Sequence, residues 1–421
     1  MGFADRYLNK QKGFIPNISG LPSEQLKYVV VIPAYCEPDL TDALESLWNC
    51  TRPIGHVEVL VVINSPENAG EEVIQSNKLT LDKTSMWIAG HHDPSMQFHM
   101  LEEISLPPRD AGVGIARKIG MDEAVHRFNL INKPKGFILS FDADSRCDSN
   151  YFTSIDEEIR RHPGIQGFTV YFEHPVQGTE FDDKVYAAIT EYELHLRYVN
   201  QFLRFAGFPY AHHTVGSCFG VRAETYAAQG GMNKKQGGED FYFLHKIIPL
   251  GNFTDITSAR VIPSPRVSNR VPFGTGPVIG RYLNAEDPGL KTYAPECFMA
   301  LRDFFGSIPE LFKASREDIA GQVNRLPESL KAFLIENHVT ESVMEINANS
   351  SSPATFSKRF YRWFDAFRVV KYLNYASRNF YPQIAVGEAA RLFLSTMGNG
   401  NPAKKYTNLE LLQVFRKMER P

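Results

Sequence analysis

Residues 28–63 read YVVVIPAYCEPDLTDALESLWNCTRPIGHVEVLVVI, and this stretch decides the fold class. A continuous apolar run at 28–32 and a second run at 57–63, apolar except for Glu58, are typical of strands that are buried on both faces of a parallel sheet. Between them, residues 39–48 begin with an acidic cap candidate and carry apolar side chains on one face, which predicts a crossover helix. The stretch is therefore a strand–helix–strand unit.

The same alternation continues along the first half of the chain. Further strands are expected at 97–104, 136–141 and 165–172, and helices at 111–128 and 149–161. Strands that alternate with helices predict an α/β fold with a Rossmann-type, mostly parallel sheet. In such a sheet the functional site lies at the carboxyl ends of the strands.

The second part of the chain has a different sequence pattern, in which helical periodicity replaces the alternation of strands and helices. Residues 263–280 hold four Pro and three Gly without a sustained period, which indicates a long loop or a domain edge. From Glu296 onward helical periodicity dominates. For a chain of 421 residues we therefore expect two domains, 1–280 with its core at 28–270, and a mainly α-helical 281–421.

Composition excludes several classes of protein. Lys and Arg number 45 against 48 Asp and Glu, a net charge of −3, so no long-range attraction to nucleic acid is expected. The five cysteines form no C-x-x-C pair, which argues against a disulfide framework or a zinc knuckle. Residues 1–27 lack a signal-peptide pattern, and no run is long and apolar enough to span a membrane. We expect a cytoplasmic protein.

A pair of aspartates follows the predicted strand at 136–141. Asp142 and Asp144, one residue apart at a strand end, are placed to face a hard divalent cation, because Mg²⁺ and Mn²⁺ prefer oxygen ligands and retain waters or phosphates. A D-x-D tripeptide is also common in turns and helix caps. Here the buried strand before it favours the cation, since two anions near a core need a counter-ion.

A second acidic pair opens a predicted helix. Glu239 and Asp240 follow two glycines and precede an apolar pattern that ends near Gly251. Carboxylates in a first helical turn are stabilised by the helix dipole and stay ionised. An ionised carboxylate in a cleft can accept a proton, although the same pair is also ordinary capping.

Polar and aromatic residues lie at two neighbouring strand ends. The segment 33–37, PAYCE, follows the first strand and Asn64 follows the second, where they can stack a base and bond its edge or ribose. The Gly-rich segment 112–120 opens a helix, and its glycines permit close backbone approach, so that Arg117 can reach a phosphate or a base. No G-K-[ST] follows, so this is not a P-loop.

In this order and spacing, the segments resemble the family 2 glycosyltransferases with the GT-A fold. The resemblance covers about residues 28–270. The matching segments are VVVIPAYCEP (29–38), VLVVINS (59–65), GVGIARKIGMDEA (112–124), GFILSFDADSRCDSNYF (136–152), VGSCFGVRAETYAAQGGM (215–232) and GGEDFYFLHK (237–246).

The resemblance implies a set of donor-binding residues. Tyr35, Glu37 and Asn64 would contact the nucleotide of a UDP- or GDP-linked sugar, together with Pro33 in the same segment. Arg117 would lie near the base or the diphosphate. The family usually places Asp at the position of Asn64, and an amide cannot supply that negative charge.

It also implies the reacting groups. Asp142 would touch the ribose and, with Asp144, hold Mn²⁺ or Mg²⁺. Asp240 would be the general base that takes the proton of an acceptor hydroxyl as its oxygen attacks the anomeric carbon with inversion, and Glu239 would orient the acceptor or the loop.

Many relatives use a late His as a metal ligand, but none occurs between His245 and His338. In place of this His we assign Arg266 and Arg270, because they can clamp the diphosphate when their loop closes. Surface arginines in a loop are the alternative. The expected acceptor is a hydroxyl of a glycan or a lipid-linked glycan.

Two other functions stay open at this point. A non-catalytic protein that binds a nucleotide sugar or a glycan would explain Asn64 and the missing His. A sugar-phosphate nucleotidyltransferase is disfavoured, since its Gly-rich basic loop is expected where residues 33–39 read PAYCEPD.

Residues 356–381 mix aromatic and basic residues at helical spacing. That composition suits an interfacial helix at the inner face of a membrane. A helix packed on protein, with a basic outer face, is the alternative. The adjacent histidines at 91–92 and 212–213 are assigned no role, because neighbouring rings rarely point at one ion.

Overall fold

The computed structural model describes residues 2–11, 13–108, 111–235, 237–268, 270, 274–286, 289–398 and 405–420. Eight strands in this part of the chain form one sheet. In chain order they are β1 Leu26–Ala34, β2 His56–Pro66, β3 Met96–Leu106, β4 Phe137–Ser140, β5 Arg146–Cys147, β6 Gly167–Phe172, β7 Phe219–Arg222 and β8 Phe253–Ile262.

Helices separate and follow these strands. Those that begin before residue 280 are α1 Asp5–Leu8, α2 Leu40–Trp48, α3 Glu71–Gly90, α4 Val113–Leu130, α5 Tyr151–Arg161, α6 Asp183–Phe205, α7 Ala223–Ala228, α8 Glu239–Ile247 and α9 Thr275–Leu283. Those that follow are α10 Pro295–Ser307, α11 Arg316–Asn324, α12 Glu328–Glu336, α13 Val339–Ala348, α14 Pro353–Trp363, α15 Ala366–Asn379, α16 Val386–Thr396 and α17 Asn408–Glu419. Two short strands, β9 Lys291–Thr292 and β10 Ile384–Ala385, pair antiparallel.

The sheet has the strand order β3-β2-β1-β4-β7-β6-β8-β5. Its first four strands are parallel, as is the pair β6 and β8, whereas β7 and β5 run antiparallel to their neighbours. The predicted α/β fold with a Rossmann-type, mostly parallel sheet is therefore confirmed. Because β1, β2 and β4 are parallel, the loops that follow them meet at one edge of the sheet.

Strand β1 is longer than the sequence predicts. It continues through Pro33 to Ala34, and Pro33 lies opposite Val62 of β2. On the other side, β4 ends at Ser140, which lies opposite Val31. Pro33 is therefore beyond the β4 pairing, where its missing N–H costs no ladder bond.

Helix α3, between β2 and β3, is absent from the sequence prediction. Its hydrophobic pattern is weak because the side chains that it buries, Asn77, Thr80 and Thr84, are polar. Reading apolar periodicity alone misses a helix of this kind. Strands β7 and β8 and helix α6 were also not predicted.

The chain divides into two compact units. The first comprises Met1–Tyr186 and Thr214–Arg281, and the second comprises Ala187–His213 and Tyr282–Pro421. Residues 187–213 thus belong with the C-terminal part of the chain. The two domains that the sequence predicts, residues 1–280 and 281–421, stay a prediction.

The second unit is helical with an aromatic core. The segment 356–381 forms two helices, α14 and α15, and Asp365 caps the second by accepting a bond from the N–H of Arg368. Phe360 of α14 is buried and packs on Phe304 of α10. Burial of these rings favours the alternative of helices packed on protein. No helix in the described part of the chain is both long and apolar enough to cross a bilayer.

Candidate active site

Four charged side chains meet beyond the ends of β1 and β4. Arg266 donates from Nη2 to both carboxylate oxygens of Glu37, at 2.7 Å each, and from Nε to Oδ2 of Asp144 at 2.6 Å. Arg270 also pairs with Glu37 and donates to the carbonyl of Cys36 at 3.0 Å. We call Glu37, Asp144, Arg266 and Arg270 the outer cluster. Its members come from loops more than 100 residues apart in the chain.

Burial and charge act in opposite directions on these groups. Burial raises the pKa of Glu37 and of Asp144 above the ordinary range, and the neighbouring guanidinium of Arg266 lowers both. Burial would lower the pKa of Arg266, but Asp144 and Glu37 raise it further. Arg266 therefore stays charged and, with Arg270, favours the ionised form of both carboxylates, although burial outweighs the two arginines and leaves both pKa values raised.

A second cluster lies beside the first. Arg117 of α4 is buried, pairs with Glu239 at the start of α8, and donates from Nη2 to Oδ1 of Asp142 at 2.5 Å. The side chain of Glu239 is 4% exposed and that of Asp142 is 35% exposed. We call Arg117, Asp142, Glu239 and Asp240 the inner cluster. It joins β4 to the helix that sequence analysis singled out.

Asp240 lies close to Arg117, and the backbone of Gly216 passes between the two side chains. A Cβ at Gly216 would lie 3.1 Å from Nη2 of Arg117 and 3.2 Å from Oδ2 of Asp240, so only glycine lets the backbone pass between them without displacement. Burial raises the pKa of Asp240 to about 6, and Asp142 adds to the rise, while Arg117 and the N–H of Phe241 oppose it. The carboxylate is thus a stronger base than an ordinary aspartate.

The charges of the two clusters do not balance. They contain five carboxylates and three guanidiniums, so two negative charges remain when every group is ionised. Burial is the main cause of the raised pKa values of Asp144 and Asp240, and the charge of Asp142 adds to the rise in both cases. The site is therefore suited to a bound cation.

Asp142 and Asp144 fit such a cation in part. Each uses one carboxylate oxygen on an arginine, Oδ1 of Asp142 and Oδ2 of Asp144, and the other oxygen of each has no protein partner among the described residues. No group of three His, Cys, Asp or Glu residues able to hold a metal occurs in the part of the chain that the structure describes. Two carboxylates suffice for Mg²⁺ or Mn²⁺ when waters or substrate phosphates complete the shell.

The segment that carries Glu37 is held by the helix that the sequence did not reveal. Cys36 has a positive φ of 53°, and its N–H donates to Oδ1 of Asn77 at 2.8 Å. Thr80 donates from Oγ1 to the carbonyl of Glu37 at 3.2 Å. Asn77 and Thr80 are therefore positioning residues, and the polar face of α3 is their only signal in the sequence.

The other residues that the sequence predicts for the site lie in the same region, and some of them are buried. Pro33 is buried in β1, and Asn64 is 1% exposed with its amide on the carbonyl of Ala34. Tyr35 is partly exposed; burial raises its pKa and Arg270 lowers it. Gly114 packs on the carbonyl of Lys235, so this glycine serves the packing of α4.

Comparisons with known proteins give similarity of shape alone. No family model and no curated protein matches the chain. Among solved structures, TarS 1–349 of Staphylococcus aureus in complex with UDP-GlcNAc is 14% identical and aligns over 80% of this chain and 91% of its own, with a TM-score of 0.40. The mannosyltransferase PcManGT of Pyrobaculum calidifontis, in complex with GDP-Man and Mn²⁺, is 13% identical over 99% of this chain and 92% of its own, with a TM-score of 0.37. Similarity this low carries no argument about activity.

Proposed function

We propose that this protein is a glycosyltransferase that moves a sugar from a UDP- or GDP-linked donor to an acceptor hydroxyl, with inversion at the anomeric carbon. The reaction depends on Mn²⁺ or Mg²⁺. The acceptor is a glycan or a lipid-linked glycan, and the reaction takes place in the cytoplasm or at the inner face of the membrane.

One observation carries this proposal: the two clusters hold two more carboxylates than guanidiniums, at the strand ends where the fold places a ligand. A diphosphate is itself an anion. It cannot enter a net negative site unless positive charge comes with it. Asp142 and Asp144 would hold a divalent cation, which would supply that charge and offset the charge that develops on the leaving diphosphate.

The arginines of the outer cluster have a second role. Arg266 and Arg270 both pair with Glu37, and both guanidiniums are partly exposed. When a diphosphate binds, they exchange part of this contact for its oxygens, for which a planar guanidinium is well suited. Glu37 then positions the two arginines, and Tyr35 offers a ring for the base.

Asp240 is the base of the proposed reaction. Its raised pKa makes its carboxylate a stronger base than an ordinary aspartate, and Arg117 lies beside it. It accepts the proton of the acceptor hydroxyl as the new glycosidic bond forms. Glu239 acts through Arg117, which it fixes between α8 and Asp142.

Replacement of Asp144 by Ala tests the cation site. Isothermal titration should show that wild type binds a nucleoside diphosphate more tightly with Mn²⁺ than in EDTA, because the cation offsets the excess negative charge. Asp144→Ala should bind equally in both conditions. The matched control is Asp42→Ala, an exposed carboxylate on α2 paired with Arg146, which should keep the Mn²⁺ effect. An undiminished Mn²⁺ effect in Asp144→Ala would refute the assignment.

The pH dependence of turnover tests the base. Because the pKa of Asp240 is raised to about 6, the group is protonated below that pH and cannot accept a proton. We expect kcat/KM, which reports the free enzyme, to fall about tenfold per pH unit below this value and to be level above it. A level profile between pH 5 and 8 would contradict the proposal.

Hydrolysis of the donor separates catalysis from binding. A transferase releases nucleotide slowly from its donor in the absence of acceptor, whereas a binding protein releases none. A panel of UDP- and GDP-linked sugars with Mn²⁺ is the assay. Release of nucleotide from one member of the panel identifies the donor as well.

A further inference from the structure

Two cysteines far apart in the sequence lie side by side in the first unit. Cys50 follows α2 and Cys147 is in β5, and their Sγ atoms are 3.6 Å apart. Cys50 is buried, whereas Cys147 is partly exposed. All five cysteines are free thiols, and nothing in the proposed reaction uses this pair.

The backbone around the pair is already held together. The N–H of Thr51 donates to the carbonyl of Ser149 at 2.8 Å, and Arg146 of β5 donates to Oδ2 of Asp42 in α2 at 3.0 Å. Bonded sulfurs are about 2.05 Å apart, so the two Sγ atoms need to approach by about 1.5 Å. Side-chain rotation supplies a movement of this size, and the apposed segments lose little freedom when they are linked.

We infer that Cys50 and Cys147 are a site of reversible covalent modification, at which a peroxide converts the two thiols into an intramolecular disulfide. Cys147, the more exposed of the two, attacks one oxygen of hydrogen peroxide; the O–O bond breaks, a sulfenic acid forms and water leaves. The sulfur of Cys50 then attacks the sulfenic sulfur, and a second water leaves. The two thiols lose two electrons and two protons, and the peroxide is reduced to two waters.

The position of the pair connects it to the candidate site. Cys147 is three residues after Asp144, and Cys50 lies at the end of the helix that begins after Glu37. A disulfide would restrain the segment of Asp142 and Asp144 against α2, and so limit how far these two carboxylates can move when a cation and a donor bind. This consequence rests on the proposed function, but the thiol chemistry does not.

The test is exposure of the full chain to hydrogen peroxide, followed by a thiol count in denaturant and peptide mapping. Wild type should fall from five thiols to three and yield a peptide that joins Cys50 to Cys147, both reversed by dithiothreitol. Cys50→Ser and Cys147→Ser should form no such link. Cys36→Ala, which removes the other partly exposed thiol, should form it as wild type does.

The hydrogen bond with Cys50, together with burial, raises the pKa of Cys147. The link should therefore form faster at pH 9 than at pH 7, because the thiolate is the attacking species. The inference is overturned if the joined peptide forms at neither pH 7 nor pH 9, or if the link forms through Cys36.

Turnover is measured separately. Formation of the link with unchanged donor hydrolysis would overturn the restraint on the Asp144 segment. Loss of activity in wild type that dithiothreitol restores, and that Cys147→Ser does not show, supports the restraint. An inactive protein that still forms the link would contradict the proposed function alone.

Discussion

Replacing Asp240 by Asn should lower turnover by about 10²- to 10⁴-fold, the usual contribution of a general base. Asn has the same shape and can still accept the bond from the N–H of Phe241, which reaches Oδ1 of Asp240 at 2.6 Å. The local fold at the start of α8 is therefore preserved. What is lost is the capacity to take a proton, so the effect should fall on kcat.

Donor binding is the control within the same variant. Asp240→Asn should bind a nucleoside diphosphate with Mn²⁺ at least as well as wild type, because it removes one of the excess negative charges. Its residual activity should also lack the decline below pH 6. Wild-type turnover in this variant would remove Asp240 as the base, and loss of donor binding would instead indicate damage to the inner cluster.

The largest expected effect on stability is at Arg197 in the second unit. This guanidinium is 0% exposed and pairs with Glu193 and with Glu419. Replacing it by Met leaves two buried carboxylates short of positive charge and should destabilise α17 by about 3–5 kcal/mol. Arg416 and His213 compensate in part, since Arg416 also bonds Glu193 and His213 bonds Glu419.

The measurement is native-state hydrogen exchange of the α17 amides, which reports opening of that helix without requiring the whole chain to unfold together. Arg316→Ala is the matched control, because Arg316 forms an exposed pair with Glu341 and such pairs contribute about 1 kcal/mol or less. The double variant Arg197→Met/Glu419→Gln should recover part of the loss, because one unpaired charge is gone. Equal protection of α17 in wild type and Arg197→Met would contradict this account.

Acid should weaken the same contact. Burial would raise the pKa of Glu419, but His213 and Arg197 lower it below its usual range. A carboxyl whose folded pKa is lowered contributes stability above its unfolded pKa, and that contribution is lost as the pH falls through the folded value. Protection of α17 should therefore decrease below about pH 4, an ordinary Glu pKa.

The first strands and helices were predictable from the sequence because their patterns are local. The run at 28–32 is apolar on both faces, as is the run at 57–63 apart from Glu58, and β1 and β2 are indeed buried strands of a parallel sheet. Helix α3 was not predicted, because the side chains that it buries are polar and give no apolar periodicity. The antiparallel strand β7 was not predicted either, because the direction in which a strand pairs depends on its neighbours in the sheet and not on its own four residues.

The candidate site divides in the same way. Asp142, Asp144, Glu239 and Asp240 stand out in the sequence because each pair borders a strand or helix end. The sequence did not reveal that Arg117 would be buried between Asp142 and Glu239. Gly216 and the thiol pair were likewise visible only when distant segments came together.

The sequence by itself determined the fold class and the chemical identity of the carboxylates, because strand and helix patterns and strand-end positions depend on neighbouring residues. Only the tertiary structure decided which charges meet. Arg266 is more than 200 residues from Glu37 in the chain, and packing alone brings the two together. Packing of the same kind buries Asp240 near Asp142, and this burial raises the pKa of Asp240 to about 6, an effect that depends on distances through space.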